Sequence, residues 1–215
     1  MNKKSLSMPK MIVPFLFCAA TALAQYKLQP AGGPPSELSP AIAAALQKDG
    51  SKIVGDDGKV VCEMWMRTTL PSGPAAAETN VTLPAIPHGA LLGAIRFSSP
   101  GLDRRGITLK PGVYTLRFSF YPPDGNHQGA APQRDFLILS LAAEDKDPDS
   151  KPDFEALMNL SRKASGTPHP ATLSFWKAED DAKPGFEKSG DSDWVLQTRI
   201  GDTPVTIILI GQHAG

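Results

Sequence analysis

Two histidines sit in turns rich in glycine and proline: His127 within the stretch Tyr121-Pro-Pro-Asp-Gly-Asn-His-Gln-Gly129, and His169 within Ser165-Gly-Thr-Pro-His-Pro170. Imidazole is a common ligand for zinc and copper and changes charge near neutral pH. Asp124 lies three residues before His127, and Asp135 opens the next strand-like segment, so both carboxylates could meet His127 at one end of a hairpin. If the strand ends bring His169 to the same place, two imidazoles and two carboxylates converge. His127 and His169 would then hold zinc or copper with an open position, and Asp124 and Asp135 would serve as ligands or orienting groups. Without a metal the same set could act as acid and base on a ligand. The spacing matches no tight metal motif. The competing reading is two well-made turns, with Asp124-Gly125-Asn126 as one and His169 as a loop residue between prolines.

Other chemistry is thinner. Cys62, Met64 and Met66 alternate, so they share one strand face; soft ligands of this kind suit cuprous copper, but Cys and Met more often pack as apolar residues. Asp145-x-Asp147-x-Asp149 resembles the opening of a calcium loop, yet Ser150 stands where that loop needs Gly and Ala156 where it needs a bidentate Glu. A solvated acidic loop leading into a helix fits better. Trp65, Trp176 and Trp194 could form a carbohydrate platform, with Glu63 and Arg67 beside Trp65 hinting at exposure; packing at a sheet edge is favoured. Hydrolase and nucleotide motifs are missing: there is no Gly-x-Ser-x-Gly, phosphate loop or dinucleotide fingerprint. Ser174-Phe-Trp-Lys177 resembles a piece of the penicillin-recognising enzymes, but a strand points Ser174 and Lys177 to opposite faces.

These residues must be positioned mainly by strands. Val113 to Tyr121 has Tyr114, Leu116, Phe118 and Phe120 on one face and Thr115, Arg117 and Ser119 on the other, the strongest period-two signal in the chain. Asp56-Asp57-Gly58 marks a hairpin turn. Further strands are expected at 91–97, 107–109, 134–142, 171–177, 194–199 and 204–210, the last apolar on both faces and therefore central. Ser39-Pro40 starts a short helix, and 154–163 reads as an amphipathic one ended by Gly166. Short strands separated by Gly/Pro turns predict a mostly β protein: an antiparallel β-sandwich of about eight strands with two short helices.

Several pieces occur in an order that resembles a family of uncharacterised exported bacterial proteins: Gly112-Val-Tyr-Thr-Leu-Arg117, Asp124-Gly-Asn-His-Gln-Gly129, Arg134-Asp-Phe136 and Ser161-Arg-Lys-Ala-Ser-Gly-Thr-Pro-His-Pro170. The resemblance spans roughly residues 40–180. It implies export and a β-rich domain, and it implies no activity.

The amino-terminal residues read as a secretory signal over 1–24. Lys3, Lys4 and Lys10 precede an apolar run from Met11 to Leu23, and Ala22-Leu23-Ala24 predicts cleavage before Gln25. Cys18 raises a lipoprotein reading, but Phe17 before it disfavours one; a retained anchor is the main rival. Residues 25–39, rich in Pro, Gly and Ser, read as a spacer, and 40–215 as a single β-sandwich domain. The 22 basic and 22 acidic side chains balance, and loss of the signal tips the balance slightly acidic, which excludes a basic nucleic-acid face. No later apolar run could span a bilayer. The expectation is an exported periplasmic or extracellular protein that binds an envelope ligand without catalysis. The alternative is a metal-binding protein or metal-dependent enzyme centred on His127 and His169.

Overall fold

The structure is a computed structural model and describes residues 25–120 and 133–212. In chain order the elements are β1 (Tyr26–Gly32), α1 (Pro40–Ala45), β2 (Gly50–Gly55), β3 (Val60–Met66), β4 (Leu91–Phe97), β5 (Gly101–Leu102), β6 (Thr108–Leu109), β7 (Gly112–Phe120), β8 (Asp135–Leu141), α2 (Phe154–Ser165), β9 (Thr172–Lys177), β10 (Gly185–Ser189), β11 (Asp193–Ile200) and β12 (Thr203–Ile210). Ten strands form one sheet in the order β1-β2-β3-β4-β7-β8-β9-β12-β11-β10, every pair antiparallel; β5 and β6 make a separate two-stranded ladder.

The protein is mostly β with two helices, as the sequence predicts, but the eight-stranded sandwich is corrected. The hydrogen-bonded ladder runs unbroken through ten strands and curls until it is nearly a barrel. Period-two alternation places one face inward in a sandwich and in a barrel alike, so the pattern could not separate them. Register shifts at Pro30/Gly32, Ile53/Val54, Leu91/Gly93 and Trp194/Val195 help the curl, because an extra residue bends and twists its strand. Three strands fall where none was expected: β1 in the expected spacer, the two-residue β5, and β10 with the unpatterned sequence GFEKS.

The interior is filled by side chains. Tyr114, Leu116 and Phe118 of β7 meet Leu137 and Leu139 of β8, Leu173 and Phe175 of β9, and Ile207 and Leu209 of β12. Strand β12 lies between β9 and β11, paired on both sides as its two apolar faces require, though third from the β10 border rather than at the centre of the sheet. Cys62, Met64 and Met66 face this interior and are nearly inaccessible, so they pack as hydrophobes. Burial pushes the Cys62 thiol up to about 12, with the Glu63 carboxylate adding to the effect. The raised thiol pKa contributes stability that is complete below its ordinary value of 9.0 and is lost as pH climbs from there toward 12. Iodoacetamide should therefore leave the native thiol unmodified at pH 8 and label it fully in guanidinium, and Cys62→Ala should flatten stability between pH 9 and 12. Native-state labelling at the unfolded rate would refute the buried placement.

Outside the wall, two patches are roofed over. Helix α1 starts at Ser39, whose hydroxyl accepts from the Ile42 N–H at 3.2 Å, and it lays Ile42 on Trp65, Leu91 and Ala94. Helix α2 starts at Asp153, which accepts from the Ala156 N–H at 2.8 Å, and ends at Gly166 in the left-handed region with φ 67°. It lays Leu157 and Met158 on Phe136 and Ile138 of β8. Between the helices, residues 145–150 cover the outer face of β7, and Arg117 rises into them.

Arg117 is fully buried, and its guanidinium is completely satisfied. Its Nε and Nη2 donate to the two oxygens of Asp145, each at 2.6 Å. Nη1 donates to the carbonyls of Gly89 and Ser150 at 2.7 and 2.6 Å, and Nη2 reaches the Asp147 carbonyl at 2.7 Å. Thr115 completes the Asp145 shell with a 2.5 Å bond. Gly89 is required where it stands: its φ is 77°, and a Cβ there would lie 2.5 Å from the Pro152 carbonyl oxygen.

Candidate functional site

Of the four residues the sequence nominates, two can be placed. Asp124 and His127 lie outside the described residues. Asp135 is fully buried, and its carboxylate accepts from the Thr82 N–H at 2.8 Å, the Thr82 hydroxyl at 3.1 Å and the Leu83 N–H at 3.3 Å. It ties residues 82–83 to the start of β8. His169 sits on the surface after α2, where its backbone is held by Ser165 and Thr167. Asp135 alternates with Phe136 along β8, and His169 lines a cleft with Phe136 and Ile138. Asp135 and His169 therefore belong to opposite faces of the sheet and do not share a site. Among the described residues no three His, Cys, Asp or Glu side chains are grouped to hold a metal.

Desolvation raises the Asp135 carboxyl above its ordinary value of 3.8, and the bonds from Thr82 and Leu83 pull against it. A carboxyl raised on folding binds its proton sooner than the unfolded chain does. Its contribution is thus present below 3.8 and is lost as pH rises through the raised folded value. Asp135→Asn should remove that dependence, so the stability difference between the two proteins should vary with pH in the acid range. A difference constant from pH 3 to 7 in denaturant titrations would contradict the assignment.

The acidic segment 145–149 is corrected as well. Asp145 is neither solvated nor free for calcium, because Arg117 and Thr115 hold both of its oxygens. Asp147 accepts from the Asp149 N–H at 2.9 Å, and Asp149 pairs with Arg67 at 3.1 Å. The helix that follows is capped by Asp153 instead. Trp65 is fully buried beneath α1, as the packing reading required, and cannot offer a sugar platform.

His169 borders a distinctive cavity among the described residues. A cleft of about 250 Å³ opens between α2 and the outer face of β7, β8 and β9. Phe136 and Ile138 form its floor together with their cross-strand neighbours Ser119 and Thr172, Phe120 borders it at the end of β7, Phe154 and Met158 make its helix wall, and Pro168 and Pro170 its far side. Phe154 leaves 45% of its surface in water, unusual for a ring of that size. Arg104, Arg105, Arg162 and His169 stand around the floor. Ser119 also lines it and meets His88 Nδ1 at 3.3 Å. Burial lowers the His88 pKa, while the Asp153 backbone and charge oppose the shift. With Ser119 only 2% exposed, this pair is a packing hydrogen bond rather than a nucleophile and its base.

A second cavity, about 380 Å³, lies at one mouth of the near-barrel. Tyr26, Phe97 and Leu209 contribute its apolar part, and Asp56, Asp57, Lys59 and Ser99 its polar rim. Its charges are largely spent on each other: Asp57 pairs with Lys59 at 2.8 Å, a contact that lowers the Asp57 pKa. Arg104 borders both cavities and closes on Asp193 with bonds of 2.7 and 3.0 Å. The sequence reading found His169 but not this cleft, whose floor and wall come from segments far apart in the chain. Its signal was the pair Phe136 and Ile138, apolar on the face opposite Leu137 and Leu139.

Compared with known proteins, the chain matches no family model, no curated protein and no solved structure.

Proposed function

We propose that this is an exported cell-envelope protein that acts as a non-enzymatic binding module, and that the cleft beneath α2 seats its ligand. The observation that carries the reading is the cleft's make-up: a largely apolar floor and wall, an exposed Phe154, and charged groups confined to the edge. Ligand sites are concave and mostly apolar, with a few polar groups that fix orientation. Export rests on the amino-terminal pattern, and processing predicts a chain beginning at Gln25. Among the described residues no helix is long and apolar enough to cross a membrane.

Binding of the neutral dye Nile red tests the seat. Wild-type protein should enhance its emission, and Phe154→Asp, which sets a charge in the wall at an exposed position, should weaken binding about tenfold with little change in Tm. Failure of the wild type to bind, or binding indifferent to Phe154→Asp, would remove the cleft from consideration. A metal site at His127 and His169 remains the alternative proposal. It has lost Asp135 as a ligand, and stoichiometric zinc or copper in the purified chain would be needed to revive it.

A further inference from the structure

We infer that the ligand of the α2 cleft is a free amphiphile with an anionic head, its apolar tail on Phe136 and Met158 and its head at Arg105 and Arg162. The inference rests on the cleft being the ligand seat. Its first support is the sign of the charge around the cleft. The described side chains that line it include Arg104, Arg105, Arg162 and His169 and no carboxylate.

The second support is how far each arginine is committed. Arg104 spends two N–H groups on Asp193. Arg162 spends Nε on the Pro168 carbonyl at 3.1 Å and Nη1 on Asn159 at 2.8 Å, while its approach to Glu155 is 3.9 Å. Arg105 is exposed, and its guanidinium makes no hydrogen bond or salt bridge among the described residues. The neighbouring Asp103 carboxylate is turned away to the backbone, accepting from the N–H groups of Arg105, Ile107 and Thr172. Charged donors are thus left over on the rim of a site whose floor offers only the hydroxyls of Ser119 and Thr172. A guanidinium fork fits the paired oxygens of a carboxylate or phosphate, and a cationic head would be repelled. At about 250 Å³ the cleft falls just under the roughly 300–1,000 Å³ of sites for drug-sized ligands, so the tail is short or only partly enclosed.

Calorimetric titration of the full-length chain with octanoate, 1-octanol and octylammonium decides the matter. Octanoate should bind about tenfold tighter than octanol, with octylammonium weakest. Arg105→Gln should bring octanoate to the level of octanol without altering octanol binding, and Arg162→Lys, which keeps the charge, should cost less. Added salt should weaken octanoate alone. Equal binding of octanoate and octanol would overturn the anionic head and leave the cleft as the seat. No binding of any of the three would overturn both readings. Tight octanoate binding untouched by Arg105→Gln would place the head elsewhere and refute the assignment. Sedimentation with phosphatidylglycerol vesicles, without octanoate binding, would replace the free amphiphile with a membrane surface.

Discussion

Asp145→Ala should lower stability by about 3–5 kcal/mol, the usual cost of removing one partner from a buried ion pair. For a chain of this size that is a fall in Tm on the order of 10 °C. The cause is desolvation rather than lost attraction. Arg117 is 0% exposed, and its side chain cannot swing to water without displacing residues 145–150. Loss of Asp145 would strand the charge on three backbone carbonyls and leave the Thr115 hydroxyl without its 2.5 Å partner. The pair is not indispensable as a pair. Replacing both members with apolar residues, as in Arg117→Met with Asp145→Leu, should recover much of the loss but not all, since those carbonyls would lose their donor. Urea unfolding of the two single variants and the double variant measures this directly. A cost near zero for Asp145→Ala would mean that water reaches Arg117.

Trp65→Ala carries the second large effect, about 3–5 kcal/mol from the cavity and the lost burial. The indole is the keystone of the outer patch. It lies under Ile42 of α1, beside Leu91 and Ala94, with Arg96 5.6 Å from its ring centre. Its Nε1–H donates to the Gly32 carbonyl at 2.7 Å, which fixes the end of β1. Gly50 lies so close to the indole that a Cβ there would collide with it. Truncation should therefore loosen β1 and α1 together, seen as faster amide exchange in 26–32 and 40–45 with β7 and β8 unchanged. Trp65→Phe keeps most of the volume and should cost about half as much, the missing bond to Gly32 being the larger part. Uniform exchange across the whole sheet in Trp65→Ala would show that the patch is not a separable unit.

Much of the wall was legible because its strands carry their own signal. In β7 and β8 every second residue is large and apolar, and in β12 both faces carry such residues, so the strands and the interior place of β12 followed from the residues. The helices announced themselves through Ser39-Pro40, the amphipathic stripe of 154–163 and Gly166. What failed to show is what depends on distant partners. Strand β1 is mostly exposed and holds Pro30 and two other small residues; it is a strand because β2 pairs with it. Strand β10 is likewise a strand because β11 lies alongside. Arg117 stood out as a charge opposite the core face, but nothing local says that a loop 28 residues later returns Asp145 to cover it. The candidate site divides the same way. His169 was visible as a histidine in a turn. That Asp135 turns inward to Thr82, and that Phe154 and Met158 face Phe136, are consequences of how α2 and residues 82–83 dock.

The near-closure of the wall has a kinetic side. No ladder among the described residues joins β1 to β10. The gap is bridged by rings, with Tyr26 edge-on to Trp194 at 4.9 Å and to Phe186 at 6.1 Å. Lys27 and Pro30 on one border, and Glu187 and Lys188 on the other, discourage a stray strand from adding there. Three of the sheet pairs, β2–β3, β10–β11 and β11–β12, are tight hairpins that can zip locally as the chain collapses. The ring contact between Tyr26 and residues about 160 positions later must wait for both ends to be in place. The wall should thus close last at this slit and breathe there, which makes the slit the side from which solvent first reaches the interior.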